Sequence, residues 1–173
     1  MTALFFCSAN EDIAPKYNDA ARQAVRAAAV KGYHISSGGT TKGTMRVVCE
    51  EALACGAYTK GVLPRFMEGL AYPGMTETVW TDTMSERKEQ MLADADAVIA
   101  LPGGIGTMDE LFETLVMVKL NLIKSTVIAF NVDGFYDPLE ALMDHFVATG
   151  MLTPQDRATL KTPRTIEELQ ALL

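Results

Sequence analysis

A chain of 173 residues has the length of one domain with its own core, so we treat residues 1–173 as a single domain. Its formal net charge of −7 argues against binding to nucleic acid polymers, which requires a basic surface. Three cysteines and two histidines favour neither a disulfide framework nor a metal site. No apolar run approaches the ~20 residues that span a bilayer, and the N-terminus lacks a basic signal segment. We therefore expect a cytoplasmic protein without membrane contact.

Short apolar runs alternate with helical stretches along the chain. The runs predict strands at 3–8, 33–36, 59–63, 77–81, 95–101 and 125–130. The helical stretches are predicted at 15–31, 44–55, 84–92, 107–120, 138–149 and 165–172. Because 98–101 and 126–130 are continuously apolar, we expect strands that are covered on both faces of a parallel sheet. The alternation predicts a doubly wound, Rossmann-like α/β fold with three αβα layers, whose ligands bind where the strands end.

The loops after the first two predicted strands are candidates for ligand contact. Ser8 follows the first strand and can bring a hydroxyl group to a ligand. Gly38 and Gly39 lie between the second strand and a helix, which is the context of a phosphate-binding loop. The loop matches neither GxGxxG nor GxxxxGK[ST], so NAD binding and ATP hydrolysis are unsupported. A plain turn at Ser8 and a flexible connection at 37–43 are the alternatives.

A third loop joins the buried strand at 95–101 to the next helix. Gly103, Gly104 and Gly106 predict a tight turn with exposed N–H groups at a helix start, which is an anion site. Thr107 and Glu110 have the spacing of a capping box, in which each side chain satisfies a backbone donor near the other. That alternative accounts for the threonine and the glutamate but not for the cluster of glycines.

The predicted helix at 84–92 carries two cations on a partly apolar face. Met84, Arg87, Lys88 and Met91 have the spacing of one helix face, and we expect both methionines to point into the core. The planar guanidinium of Arg87 suits contact with an anion or polarisation of a substrate. A cation that snorkels to solvent or pairs with a carboxylate is the alternative.

These features together suit the cleavage of an N-glycosidic bond. The chain offers glycine-rich turns for a phosphate, a cation and a carboxylate, but no convincing Ser-His-Asp set. A carboxylate stabilises the oxocarbenium-like transition state of glycoside cleavage, and a second group activates water or assists the departure of the base.

These motifs resemble the lonely-guy (LOG) family of nucleotide phosphoribohydrolases, often labelled lysine decarboxylase-like. The family signature PGGxGTxxE matches residues 102–110 in full, and the MxERK element matches residues 84–88. GMTE at 74–77 is similar to the family's GLTE, and DGFYDPL at 133–139 is similar to its GYYDPL. Thr40 and Arg46 stand where the family's GGGxxGLMG has glycines, and Ser85 and Tyr72 replace its usual histidines.

The resemblance implies a homodimer without metal or organic cofactor. It implies conversion of a cytokinin riboside 5′-monophosphate, or AMP, to free base and ribose 5-phosphate. Arg87 and Glu110 would be the catalytic pair, with Glu110 near the ribose and assisting the attack of water. The predicted substrate-binding residues are Ser8, Gly38, Gly39, Met84, Lys88, Gly103, Gly104, Gly106 and Thr107.

Amino-acid decarboxylation needs an electron sink such as pyridoxal phosphate, and no lysine lies in a recognisable motif for that cofactor. The altered loop at 40–46 leaves open a non-catalytic carrier of a nucleotide or cofactor from the same Rossmann-like superfamily.

The helix at 108–120 is apolar over more surface than one sheet face needs, which predicts a homodimer, although a fully buried helix is the alternative.

Overall fold

The computed structural model describes all 173 residues, along which strands and helices alternate. The strands are β1 (Thr2–Phe6), β2 (His34–Ser37), β3 (Thr59–Pro64), β4 (Glu77–Thr81), β5 (Ala97–Ala100), β6 (Thr126–Ala129) and β7 (Leu160–Lys161). The α-helices are α1 (Pro15–Val30), α2 (Gly43–Ala54), α3 (Met84–Leu92), α4 (Ile105–Lys119), α5 (Asp137–Ala148), α6 (Pro154–Arg157) and α7 (Ile166–Leu172). Two 3-10 helices lie at Arg65–Leu70 and Val132–Gly134.

The seven strands form one parallel sheet in the order β4-β3-β2-β1-β5-β6-β7. Side chains of β1 alternate between the two cores, because successive residues of a strand point to opposite faces. Ala3 and Phe5 join the core under α1, α2 and α7, whereas Leu4 and Phe6 join the core under α3, α4 and α5. Helices therefore cover both faces of the sheet, which confirms the predicted doubly wound, three-layer fold.

The order of the strands creates a switch point beside β1. The chain leaves β1 for β2, β3 and β4, and then returns to form β5 on the other side of β1. Loops that follow β1 and β5 therefore lead to helices on opposite faces and open a crevice between them. The three loops predicted to contact a ligand all begin at this carboxyl edge of the sheet.

Helix α1 shows how the local sequence builds one of these layers. Pro15 occupies the first helical position, where a missing N–H group costs nothing, and Gly32 follows the helix with a φ of 81°. Ala21, Ala24 and Ala28 share one face and are fully buried. Their small side chains let α1 pack closely on the sheet and on α2.

The starts of α4 and α3 each correct one expectation about side chains. The helix begins at Ile105, two residues before the predicted start, and Gly104 is its N-cap. Thr107 therefore lies inside the first turn and its hydroxyl has no hydrogen-bond partner, so the capping-box alternative is wrong. Met84 is 45% exposed rather than in the core, because it begins α3 at the carboxyl edge of the sheet, whereas Met91 is buried as expected.

The segment from 150 to 164 contains two elements that the sequence did not predict. Helix α6 is a single turn, and β7 pairs only two residues with β6. Both are too short to produce a readable periodicity. None of the helices is long and apolar enough to cross a bilayer.

Candidate active site

A cleft of about 410 Å³ opens at the carboxyl ends of the central strands. The loop after β1, the start of α2, the 3-10 helix after β3, the start of α3 and the start of α4 surround it. It is lined by Cys7, Ser8, Ala9, Asn10, Thr40, Lys42, Met45, Met67, Leu70, Met84, Arg87, Gly104, Gly106, Thr107 and Glu110. The cleft therefore lies at the switch point of the sheet, where doubly wound folds bind their ligands.

A buried ion pair joins α3 to α4 in this cleft. The Nη1 atom of Arg87 donates to Oε1 of Glu110 at 3.0 Å, and the two side chains are 9% and 12% exposed. The Nε atom of Arg87 donates to the carbonyl oxygen of Val62 on β3, also at 3.0 Å. Since two partners hold the guanidinium, its plane is fixed against the sheet and the carboxylate is fixed beside it.

Gly38 makes room for this guanidinium. A Cβ atom at Gly38 would overlap Nη2 of Arg87 and lie 2.7 Å from Sδ of Met45. Gly39 has a φ of 65° and packs against the backbone of Gly61 on β3. Neither glycine lines the cleft, so both act through close packing behind its wall rather than through its surface.

Burial sets the electrostatics of the carboxylate. It raises the pKa of the Glu110 carboxyl group above the ordinary glutamate value, and the adjacent Arg87 guanidinium opposes part of the rise. Glu110 accordingly accepts a proton more readily than an exposed glutamate, which suits a general base. Burial and then repulsion from Glu110 raise the pKa of the Cys7 thiol well above its usual value, which disfavours the nucleophilic thiolate.

The start of α4 presents free donors to the cleft. The first backbone bond of the helix runs from Met108 N–H to the carbonyl oxygen of Gly104, so the N–H groups of residues 105–107 have no protein acceptor. The Thr107 hydroxyl is also without a partner, although the residue is only 3% exposed. Gly103 lies directly against this hydroxyl, where any side chain would overlap it. Helix α4 therefore presents N–H donors, a hydroxyl and the positive end of its dipole to one small volume.

The loop after β1 packs against the start of α2. The Ser8 carbonyl oxygen accepts from Met45 N–H at 3.3 Å, and the Ser8 hydroxyl accepts from Asn10 N–H at 3.0 Å. Gly43 has a φ of 49°, and a Cβ there would lie 2.5 Å from the Asn10 carbonyl oxygen. Ser8 thus closes its own turn while it lines the cleft, which agrees in part with the plain-turn alternative.

The structure brings together most, but not all, of the predicted site residues. Those that line the cleft are Ser8, Met84, Arg87, Gly104, Gly106, Thr107 and Glu110. Gly38, Gly39 and Gly103 support it from behind. Lys88 does not line it, because its ammonium group pairs with Asp109 at 3.1 Å and with Glu113, one turn further along α4 than Glu110.

Of the apolar wall of the cleft, sequence reasoning identified Met84 alone. Met67 and Leu70 lie in the 3-10 helix after β3, a segment for which no regular element is predicted, and Met45 comes from the first turn of α2. Apolar residues in a segment without helical or strand periodicity were the available signal. Lys42 also lines the cleft, although nothing in the pattern of its loop assigns it a role. No group of three or more histidine, cysteine or carboxylate side chains is arranged to hold a metal ion.

Comparison with solved structures supports the fold. A molybdenum cofactor binding protein from Rippkaea orientalis is 20% identical and superposes over 99% of this chain and 94% of its own, with a TM-score of 0.74. A molybdenum cofactor carrier protein from Chlamydomonas reinhardtii is 18% identical over 98% and 94% of the two chains, with a TM-score of 0.72. At such identities the likeness establishes the architecture alone.

Comparison with sequences reaches further. The family described as possible lysine decarboxylase matches residues 45–173. A probable cytokinin riboside 5′-monophosphate phosphoribohydrolase from Oryza sativa subsp. japonica is 34% identical over 95% of this chain and 74% of its own. A cytokinin riboside 5′-monophosphate phosphoribohydrolase from Rhodococcoides fascians is 33% identical over 94% and 83%. These matches confirm the resemblance carried by the two central motifs: the chain belongs to the lonely-guy (LOG) family, whose members also bear the description possible lysine decarboxylase.

Proposed function

We propose that this protein hydrolyses the N-glycosidic bond of a nucleoside 5′-monophosphate, a cytokinin riboside 5′-monophosphate or AMP, to free base and ribose 5-phosphate. One observation carries the proposal. The buried pair of Arg87 and Glu110 shares a cleft with the free N–H groups of α4 and the unpartnered Thr107 hydroxyl. A phosphate acceptor and a carboxylate at one crevice are what this reaction requires.

The phosphate of the substrate fits the start of α4. Its oxygens would accept from the N–H groups of Gly106 and Thr107 and from the Thr107 hydroxyl. This arrangement gives a partner to the buried Thr107 hydroxyl, which otherwise has none. An unpaired buried polar group costs roughly 1–3 kcal/mol. Phosphate binding at Thr107 places the ribose toward Glu110, since Thr107 and Glu110 both lie in the first two turns of α4.

Hydrolysis then needs one water molecule and no covalent intermediate. Water adds to C1′ of the ribose while the bond from C1′ to the base nitrogen breaks. The Glu110 carboxylate accepts the proton that the water loses and stabilises the positive charge that develops on the sugar. The electron pair of the broken bond stays on the base, which takes up a proton from solvent. Arg87 keeps the carboxylate in the reacting orientation through its bond to Oε1.

The base fits the apolar wall of the cleft. This wall is supplied by Met45, Met67, Leu70 and Met84. Flexible thioether side chains adapt to a flat ring and to an apolar substituent on it. This composition supports a purine base, with or without an isopentenyl group, as the leaving group.

Base release from a panel of nucleotides tests the proposal. The protein is incubated with AMP and with isopentenyladenosine monophosphate, and free base is measured by chromatography. Adenosine and isopentenyladenosine serve as controls without phosphate, and Glu110→Gln serves as a control that keeps the shape of the side chain. We expect release from the monophosphates only, and at least a roughly 100-fold loss in Glu110→Gln. Cleavage of the nucleosides alone, or full activity of the variant, would contradict the proposal.

The second candidate is a non-catalytic carrier of a nucleotide or nucleotide-like cofactor. Its support is the fold that the chain shares with molybdenum cofactor carrier proteins. Calorimetry with AMP separates the two candidates, because a carrier binds the nucleotide without releasing the base. A buried ion pair inside the cleft favours the enzyme, since a binding site needs no carboxylate beside the sugar of an anionic ligand.

We also propose that two copies of the chain associate through α4 and α5. Beside these helices lies a largely apolar groove, whose apolar lining residues are Phe112, Leu115, Val116, Met143, Phe146 and Leu152. Val116 is 52% exposed and Leu120, at the end of α4, is 59% exposed, so the apolar surface continues beyond the groove. Light scattering is expected to give twice the chain mass, and a monomer would contradict the assembly.

All three cysteines are free thiols, which suits the cytoplasm that we propose as the compartment.

A further inference from the structure

Three charged side chains line the cleft, and two of them neutralise each other. Arg87 and Glu110 form a buried pair: Nη1 of Arg87 bonds to Glu110, its Nε bonds to Val62, and a Cβ atom at Gly38 would overlap its Nη2. The third charge, Lys42, is the remaining cation of the lining. A ligand in the cleft therefore meets one positive charge whose carboxylate partner, Glu11, lies outside the cleft, in a protein whose net charge is −7.

The Lys42 ammonium is only weakly held by the rest of the protein. Its nearest carboxylate is Oε1 of Glu11, at 3.7 Å, which is beyond hydrogen-bonding distance. The Lys42 and Glu11 side chains are 46% and 56% exposed, so the pair contributes at most about 1 kcal/mol. Glu11 does not line the cleft, whereas Lys42 does.

The backbone of Lys42, in contrast, is fixed. Lys42 is the N-cap of α2 with an extended φ of −109° and ψ of 142°, and its carbonyl oxygen accepts from Arg46 N–H at 3.0 Å. Its own N–H group donates to Oγ1 of Thr40 at 3.4 Å. A flexible cationic side chain is thus anchored at a defined point on the rim, where it can leave Glu11 at little cost.

Other cations close to the site are occupied. Lys88 is bound by two carboxylates outside the cleft, and Arg46 pairs with Glu50 at 3.1 Å on the exposed face of α2. The start of α4 offers only the partial charge of a helix end, about +0.5 of an elementary charge. A phosphate monoester carries up to two negative charges near neutral pH, so the helix end alone leaves much of it unbalanced.

We propose that Lys42 is a specificity residue that leaves Glu11 and binds the phosphate of the nucleotide across the cleft from the start of α4. This inference rests on the proposed function, because the phosphate is that of the proposed substrate. Lys42 selects phosphorylated over unphosphorylated nucleosides, while Arg87 and Glu110 act on the sugar. Binding is then divided between a full charge from α2 and directed N–H donors from α4.

Substitution of Lys42 tests the inference through the separation of KM from kcat. Lys42→Gln removes the charge from an exposed side chain and leaves the fold intact. We expect KM for AMP to rise about 10-fold, the effect of one lost charged contact, with kcat within about 2-fold. Lys42→Arg, which keeps the charge, is expected to stay close to the wild type. Lys124→Gln is the matched control, because Lys124 is exposed and precedes β6 at the opposite edge of the sheet.

Calorimetry separates failure of this inference from failure of the proposed function. The Kd for AMP is measured directly for the wild type, Lys42→Gln and Lys124→Gln, without turnover being required. A selective loss of AMP affinity in Lys42→Gln, with inhibition by inorganic phosphate also weakened, supports the phosphate contact even if no base is released. An AMP affinity in Lys42→Gln equal to that of Lys124→Gln overturns it, whatever the activity.

Discussion

Replacement of Gly38 by alanine is expected to displace the guanidinium of Arg87. The new Cβ overlaps Nη2 of Arg87 and lies 2.7 Å from Sδ of Met45, closer than carbon and sulfur atoms pack in proteins. Arg87 is held by Val62 and Glu110, so it cannot move without lengthening one of these two bonds. The φ angle of Gly38 is not in the left-handed region, so the effect of alanine there is steric.

Gly38→Ala is expected to lower both Tm, through overpacking, and kcat, through the loss of catalytic geometry. Overpacking of a tight interior costs about 1–3 kcal/mol in the free energy of unfolding. For a domain of this size each kcal/mol lowers Tm by about 2–4 °C, so we expect Gly38→Ala to unfold roughly 2–12 °C lower. A displacement of about 1 Å in a catalytic group lowers kcat by on the order of 100-fold.

Gly69→Ala is the matched control for this experiment. Gly69 is exposed on the 3-10 helix after β3, has no positive φ, and leaves open space within 4 Å of the position that an alanine methyl group would take. Thermal unfolding by circular dichroism and base release from AMP are measured for both variants. If Gly38→Ala matches Gly69→Ala in both Tm and kcat, the close approach of Gly38 does not hold the pair in place.

Three other predictions address Glu110, Thr107 and Lys88. Burial raises the pKa of the Glu110 carboxyl group, so its inactive protonated form persists to higher pH. The acid limb of the pH profile of kcat/KM should therefore have its midpoint above the ordinary glutamate pKa of about 4.3. A midpoint at or below that value refutes the role of Glu110 as a base. Thr107→Val removes a buried hydroxyl that has no partner, so Tm should stay the same or rise. The Kd for AMP, measured by calorimetry, should rise about 5-fold or more because the phosphate loses a donor. An unchanged Kd excludes the hydroxyl from phosphate binding. Lys88→Gln removes the partner of Asp109 and Glu113, so the free energy of unfolding measured in urea should fall by about 1 kcal/mol. KM for AMP should stay within about 2-fold of the wild type. A roughly 10-fold rise in KM would show that Lys88 contacts the substrate.

The succession of elements could be predicted because it depends on local signals. Continuous apolar runs and the glycines and prolines between them indicated six of the seven strands within a few residues of their observed limits. Signals of this kind fail for α6 and β7, which have four and two residues. The predicted start of α4 is wrong because a threonine is a common N-cap, whereas here the preceding glycine turn ends at Gly104 and the helix begins directly after it.

The sequence by itself determined the fold class, the family and the loops at the edge of the sheet, since apolar periodicity and motif spacing are properties of neighbouring residues. Only the tertiary structure decided what each side chain faces. Arg87 and Lys88 are adjacent in the chain, but side chains of successive helical residues point about 100° apart. Packing of α3 on the sheet therefore turns Arg87 into the cleft toward Glu110 and Lys88 toward Asp109 and Glu113. The folding of α2 across the same cleft likewise brings Lys42 to its rim.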